Sequence, residues 1–147
     1  MLDQITYNRK AKQYEFIEPA SGEILTAPSK QKHDLFKTAV AMLDPNLFAA
    51  ATHWISHTPQ LERIIWRGVE LVASGRLDVF DVAHNGIIAQ VDSSDEYGRY
   101  AIGFDGNGRF TCQCMSFNEH PQYDENGRIW CKHAAAVKLS QVAHSEF

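Results

Sequence analysis

The sequence predicts an α+β protein: an N-terminal hairpin plus helices, then a C-terminal three-stranded β-sheet closed by a last helix. Three observations predict it. β-prone residues flank a Pro19-Ala20-Ser21-Gly22 turn near the start. Apolar residues then recur at helical spacing between Leu35 and Val72. From Leu77 the period falls to two, and the alternation runs into a Cys-x-Cys pair. This divides the chain into an N-terminal hairpin and helical region, residues 1–60, and a C-terminal domain with its leading helix, residues 61–147.

The elements follow in order. Tyr14–Glu18 and Glu23–Thr26 read as the paired strands, and Ile5-Thr6-Tyr7 adds a third candidate ahead of them. Helical signals begin near Pro28-Ser29, with Leu35, Phe36, Ala39, Val40 and Leu43 forming the stripe. Asp44-Pro45 stops that helix and starts the next, Asp as N-cap and Pro at the first helical position. The second helix presents Leu47, Phe48, Ala51, Trp54 and Ile55. Thr58-Pro59 repeats the start signal for a third helix carrying Leu61, Ile64, Ile65, Gly68 and Val72, which Gly75 ends. Beyond it, 87–91 and 97–104 read as strands with a turn at Asp95-Glu96, and Asp105-Gly106-Asn107-Gly108 is a hairpin turn. Arg109-Phe110-Thr111 then leads into Cys112, residues 115–128 read as a polar loop, and Trp130 introduces a final helix from Cys131 to about Val142. The run Ala134-Ala135-Ala136 favours helix and permits close approach to the sheet.

The chain has 147 residues, 44% hydrophobic and 22% charged, the profile of an ordinary folded protein. The N-terminal MLDQITYNRK lacks a basic-then-apolar leader pattern, and no apolar run approaches the ~20 residues that span a bilayer. The expectation is a cytoplasmic protein, nuclear if the host is eukaryotic, without membrane contact. Three cysteines in a reducing compartment argue against disulfides. The net charge of −4 excludes a strongly basic protein.

All three cysteines fall in pairs with one residue between ligands: Cys112-Gln113-Cys114 and Cys131-Lys132-His133. Zinc prefers thiolate and imidazole in a tetrahedron, and structural sites fill all four positions from protein. One pair sits where a strand ends and the other where a helix begins. A small lobe buries little core, and structural zinc supplies on the order of 10–16 kcal/mol of apparent binding free energy. The expected cofactor is one structural Zn²⁺ held by Cys112, Cys114, Cys131 and His133. His120 is the main competitor, but it has no partner at ligand spacing.

The pattern C-x-C…C-x-H, preceded by strands and followed by an Ala-rich helix, resembles the SWIM zinc-finger family. The similarity extends to Trp66-Arg67-Gly68-Val69-Glu70-Leu71-Val72-Ala73-Ser74-Gly75-Arg76-Leu77, to 90–94 with 100–102, and to Cys131–Val137, roughly residues 63 to 140 in all. The resemblance implies a ββα-like, zinc-stapled finger on the same four ligands. It also implies a role in binding DNA or protein. The loop between the pairs is longer and more polar than in compact members. Residues 1 to about 60 match nothing in that family.

Basic residues cluster at Arg9, Lys10 and Lys12 and at Lys30, Lys32 and Lys37. If Ser29 caps the first helix, Lys30 and Lys32 oppose its dipole, which suits a nearby phosphate. A solvated basic face with snorkelling side chains is the simpler reading and outweighs it. His53 and His57, four apart, have no acidic or cysteine partner beside them and read as surface histidines. Trp54 and Trp66 lie in apolar helical patterns and read as core, while Trp130 is placed to cover the zinc on its apolar side.

No H-E-x-x-H, H-x-E…P-C-x-x-C, Gly-rich phosphate loop or G-x-S-x-G occurs. A closed Cys₃His site also leaves no catalytic position. The expectation is a binding module that is not an enzyme and takes no small-molecule substrate. Two partner classes follow. One is nucleic acid, from the resemblance and the basic clusters. The other is protein, from residues 85–147, where five Lys/Arg stand against eight Asp/Glu.

Overall fold

The computed structural model of the protein describes residues 4–28, 31–79, 86–92 and 99–143. Its first element is a three-stranded antiparallel sheet of β1 (Thr6–Asn8), β2 (Gln13–Ile17) and β3 (Ile24–Pro28), with β2 central. Alternation sends Phe16 and Ala27 inward, where they are buried, and leaves the cross-strand pair Ile17 and Ile24 exposed. In the β1–β2 turn Asn8 Oδ1 accepts from the Lys10 and Ala11 amides, and Lys12 takes a left-handed φ of 55°.

The inner face of this sheet packs on α1 (Lys32–Leu43) through Leu35, Phe36, Ala39 and Val40. The cap differs from the expected one. Gln31 stands at the N-cap with no side-chain bond, and Ser29 and Lys30 lie outside the described residues. Lys32 is therefore the first helical residue, with Asp34 in the same turn complementing the dipole. Asp44 caps α2 (Pro45–His57) as its sequence predicts, its Oδ1 accepting from the Leu47 amide at 3.1 Å. Thr58 does not cap the following turn. Its hydroxyl instead donates to Glu125 Oε2 at 2.9 Å, 67 positions away.

A short 3₁₀ turn leads into α3 (Glu62–Ala73), buried along Ile65, Trp66, Gly68, Val69 and Leu71. Gly75, at φ 72°, ends it with both bonds of a Schellman motif, Gly75 N–H to the Val72 carbonyl and Arg76 N–H to that of Leu71.

Among the described residues the second sheet has four strands, not the expected three. β4 (Leu77–Val79), β5 (Gly86–Asp92), β6 (Arg99–Phe104) and β7 (Phe110–Cys112) lie in that order, all antiparallel. The extra strand is three residues long and pairs only with β5, so its own apolar signal is slight. The turn expected at Asp95-Glu96 falls outside the described residues.

Residues 115–128 also depart from a plain loop. They hold a short helix α4 (Met115–Glu119), then β8 (Gln122–Tyr123), which pairs with β9 (Ile129–Trp130). The signal for that second hairpin is in the sequence. Asp124-Glu125-Asn126-Gly127-Arg128 repeats the pattern of Asp105-Gly106-Asn107-Gly108-Arg109, and both fold alike. In each, the Asp Oδ1 accepts from the amides two and four residues on, while the Asp amide donates to the Arg carbonyl.

The closing helix α5 (Lys132–Ala143) is buried at His133, Ala134, Ala135, Ala136, Val137, Leu139 and Ala143. The alanine run permits a close approach, but chiefly to α3 rather than to the sheet. Opposite it stands Gly68, where an added Cβ would lie 2.9 Å from the Ala136 nitrogen. α2 packs on α5 as well, and the buried side chains form one continuous apolar core from Ile5 to Ala143.

Candidate metal centre

Four buried side chains converge between β7 and α5. Cys112 ends β7, Cys114 follows the one-residue step Gln113, Cys131 sits between β9 and α5, and His133 is in the first turn of α5. Their ligand atoms all lie within 4.8 Å of one another. They are 1–6% exposed, so a charge placed there is shielded from water. His133 Nδ1 stands 3.6 Å from Cys112 Sγ and 3.8 Å from Cys131 Sγ. Tetrahedral zinc with bonds of about 2.3 Å to sulfur and 2.0–2.1 Å to nitrogen requires edges of about 3.6 Å between sulfur and nitrogen and about 3.8 Å between sulfurs. The donor set fits, and no disulfide competes for the thiols.

Local structure explains the convergence. The register Ile102↔Cys112 fixes β7, and Gln113 anchors the step by accepting the Ala101 amide at 3.2 Å. The Asn118 side chain then donates to both the Cys112 and Cys114 carbonyls, at 3.1 and 2.9 Å, closing the knuckle. On the other side, the Ala134 amide donates to Cys131 Sγ at 3.4 Å, where the helix N-terminus favours thiolate.

The electrostatics of the bare cluster show why it wants a cation. Hydrogen bonds from the Cys112 and Cys131 thiols hold the Cys114 thiol far below its ordinary range. The Cys114 sulfur in turn pushes Cys112 up to about 11. Cys112 and Cys114 together, with burial, raise Cys131 as well. Crowding of the three sulfurs thus disfavours a second and third thiolate, whereas a divalent cation held there would draw all three into the thiolate form.

Trp130, only 2% exposed, is the brace beside this centre. Its ring meets Trp54 of α2 edge-on at 4.7 Å and Phe110 of β7 at 5.4 Å. Its indole nitrogen donates to Asp124 Oδ2 at 2.9 Å. Burial raises the Asp124 carboxyl pKa, but the bonds from Trp130 and from the Arg128 and Asn126 amides outweigh it and hold the pKa below its usual value. A group with a depressed folded pKa stabilises above its unfolded pKa, and that contribution disappears as pH falls through the folded one. Asp124→Ala should therefore lower the urea midpoint at pH 7, since an unpaired buried N–H costs about 1–3 kcal/mol. The gap to the parent should narrow as pH falls below the ordinary carboxylate range and through the depressed folded pKa, where the parent carboxyl protonates too.

The remaining sites predicted from sequence are scattered. His120 is exposed and lies outside the cluster, as do His53 and His57, whose rings are 4.7 Å apart on α2. Trp66 is core, with His33, Phe48 and Lys37 around its ring. Lys32 and Lys37 lie over the Tyr14 and Trp66 rings, with their ammonium groups 5.4 and 4.9 Å from the centroids. Arg9, Lys10 and Lys12 are exposed on the β1–β2 turn, which the register Gln13↔Pro28 brings to the same end of the sheet as the chain leading to α1. The sequence reading passed over Arg63, Arg67, Arg76 and Lys132, which line adjoining hollows beside Cys131. Arg63 and Arg67 are four apart, a helix-face signal that could have found them. None of the described helices is long and apolar enough to cross a membrane. No family model, curated protein or solved structure matches the chain.

Proposed function

We propose that this protein is a non-enzymatic binding module of SWIM-like type, folded around one structural zinc, that serves as a nucleic-acid-binding accessory. The observation that supports it is the closed set of four buried protein donors, Cys112, Cys114, Cys131 and His133. A site with all four positions filled from protein leaves none for water or substrate, so the metal holds structure and the surface does the work. Its candidate nucleic-acid contacts include Arg9, Lys10, Lys12 and Lys32 at one end of the first sheet, with Lys30 beside them in sequence and Lys37 farther along α1. Binding to labelled duplex DNA by the zinc-loaded chain is expected to weaken steeply with salt, the log–log slope steepening by about 0.9 for each neutralised phosphate. A flat response, or no binding at low salt, overturns this reading.

A second reading, a protein-interaction adaptor or regulator of a DNA-processing or defence enzyme, has its own observation. Ile17 and Ile24 face each other across β2 and β3 with 59% and 58% of their surfaces exposed, an apolar pair that no described residue covers. Recovery of one stoichiometric protein from the native host, lost in Ile17→Ser/Ile24→Ser, would favour the adaptor.

A further inference from the structure

We propose that the phosphate backbone of the nucleic acid docks in a cation-lined groove between α3 and the start of α5, beside the metal centre. The inference rests on the nucleic-acid reading above and moves its main contact surface away from the residues that sequence alone singled out. Two adjoining hollows, of about 230 and 220 Å³, share Arg67 and Lys132 as common wall. The first adds Arg63, His120, Gln60 and Gln122, with Cys131 at its floor. The second adds Arg76 and Glu70. Among the described residues that line this groove, Arg63, Arg67 and Lys132 are cations, with Arg76 and the carboxylate of Glu70 at its second hollow, on a chain whose net charge is −4.

The geometry suits a repeating anion better than an isolated one. Arg63 and Arg67 lie on one face of α3, about 6 Å apart along its axis, and both are exposed. Lys132 opens α5, where the helix dipole adds positive potential. Guanidinium forks pair with phosphate through two parallel N–H···O bonds, and the Gln60 and Gln122 amides can add neutral contacts between charges. An exposed row of this kind tracks a chain of phosphates, whereas a single small anion calls for an enclosed pocket.

The metal explains why the groove needs a folded finger. Lys132 stands between two ligands, Cys131 and His133, so the metal fixes the wall that α5 contributes. Arg63 and Arg67 belong to α3, which packs against α5 through Gly68. The two walls are therefore held by packing and by the zinc together.

The test is fluorescence anisotropy on the full zinc-loaded chain with a labelled 20-nucleotide duplex across a salt series. The variants are Arg63→Gln/Arg67→Gln/Lys132→Gln, the double Arg63→Gln/Arg67→Gln, and Arg109→Gln as an exposed cation elsewhere. The triple variant is expected to flatten the log–log slope by about 2–3 and the double by about 2, at roughly 0.9 per lost phosphate contact, with Arg109→Gln unchanged. If Lys132→Gln lowers zinc content, the double variant alone decides. Parent-like slopes in the groove variants, with loss instead in Arg9→Gln/Lys10→Gln/Lys12→Gln, overturn the groove and leave the nucleic-acid reading standing. A parent chain that ignores the duplex but binds polyglutamate, with loss in the groove variants, overturns both and assigns the groove to an acidic protein. Binding of neither probe also overturns both.

Discussion

Chelating the metal is expected to unfold the C-terminal half of the protein, and Cys114→Ala is expected to do the same. Apparent zinc-binding free energies of about 10–16 kcal/mol match or exceed the net stability of about 5–15 kcal/mol typical of a domain. The covalent path shows where the loss falls. Cys112 ends β7 with Cys114 two residues on, and Cys131 precedes α5 with His133 in its first turn, so an ion held by all four would tie that strand to the last helix. Without it, three mutually perturbing thiols remain in a site 1–6% exposed, where unshared negative charge is costly. α5 also carries Ala134–Val137 into the core against α3, so the damage reaches the helical region too. The measurements are metal content by mass spectrometry, expected at one zinc per chain, and far-UV circular dichroism through a thermal melt with and without chelator. Cys114→Ala should lose both the zinc and the cooperative transition. Full metal content and an unchanged Tm in that variant would falsify the ligand assignment.

The convergence of the four side chains was legible because their signal is local. Two residues apart at a strand end and two apart at a helix start fix each pair, and folding only has to bring the pairs together. Most elements were legible for the same reason: Asp44-Pro45 caps α2, Gly75 terminates α3, and Asp105–Gly108 turns β6 into β7. The misses arise where long-range contacts override local preference. Thr58 looks like an N-cap, but its hydroxyl bonds Glu125 in the β8–β9 turn. Leu77–Val79 becomes a strand only because β5 offers an edge. The β8–β9 hairpin is a different case, since its Asp-x-Asn-Gly-Arg turn copies the one nineteen residues earlier and could have been read directly.

The charge pattern follows the same division. Lys32 and Lys37 stand out in sequence as cations near a helix start, yet each reaches an aromatic ring supplied by another element, Tyr14 of β2 and Trp66 of α3. Arg67 and Lys132 are 65 positions apart and form one wall only through the α3–α5 packing. A linear reading sees clusters along the chain. The field that a polyanion meets is set by which helices touch.

That contact is also where a single methyl group should do most harm. Gly68→Ala is expected to destabilise the protein although helix propensity alone predicts the opposite, a gain of about 1 kcal/mol for Ala over Gly in a helix interior. The new Cβ would lie 2.9 Å from the Ala136 nitrogen, 3.1 Å from the Ala135 carbonyl carbon and 3.1 Å from the Ala135 Cβ. Two of these three atoms are backbone, so no side chain can swing away and the helices must separate. Overpacking of this kind costs about 1–3 kcal/mol, which leaves a net loss of up to about 2 kcal/mol, or a Tm lower by roughly 4–8 °C in a chain of this size. Gly68→Val should cost more, because a branched side chain has fewer rotamers with which to avoid the same backbone. Ala135 lies two residues beyond His133, so a shift of α5 also moves a metal ligand. Zinc should therefore leave Gly68→Val at a lower chelator concentration than the parent, although the substitution is on α3 and touches no ligand. A rise in Tm for Gly68→Ala would mean that the helices can part freely. The alanine run in α5 would then be a matter of propensity, not of fit.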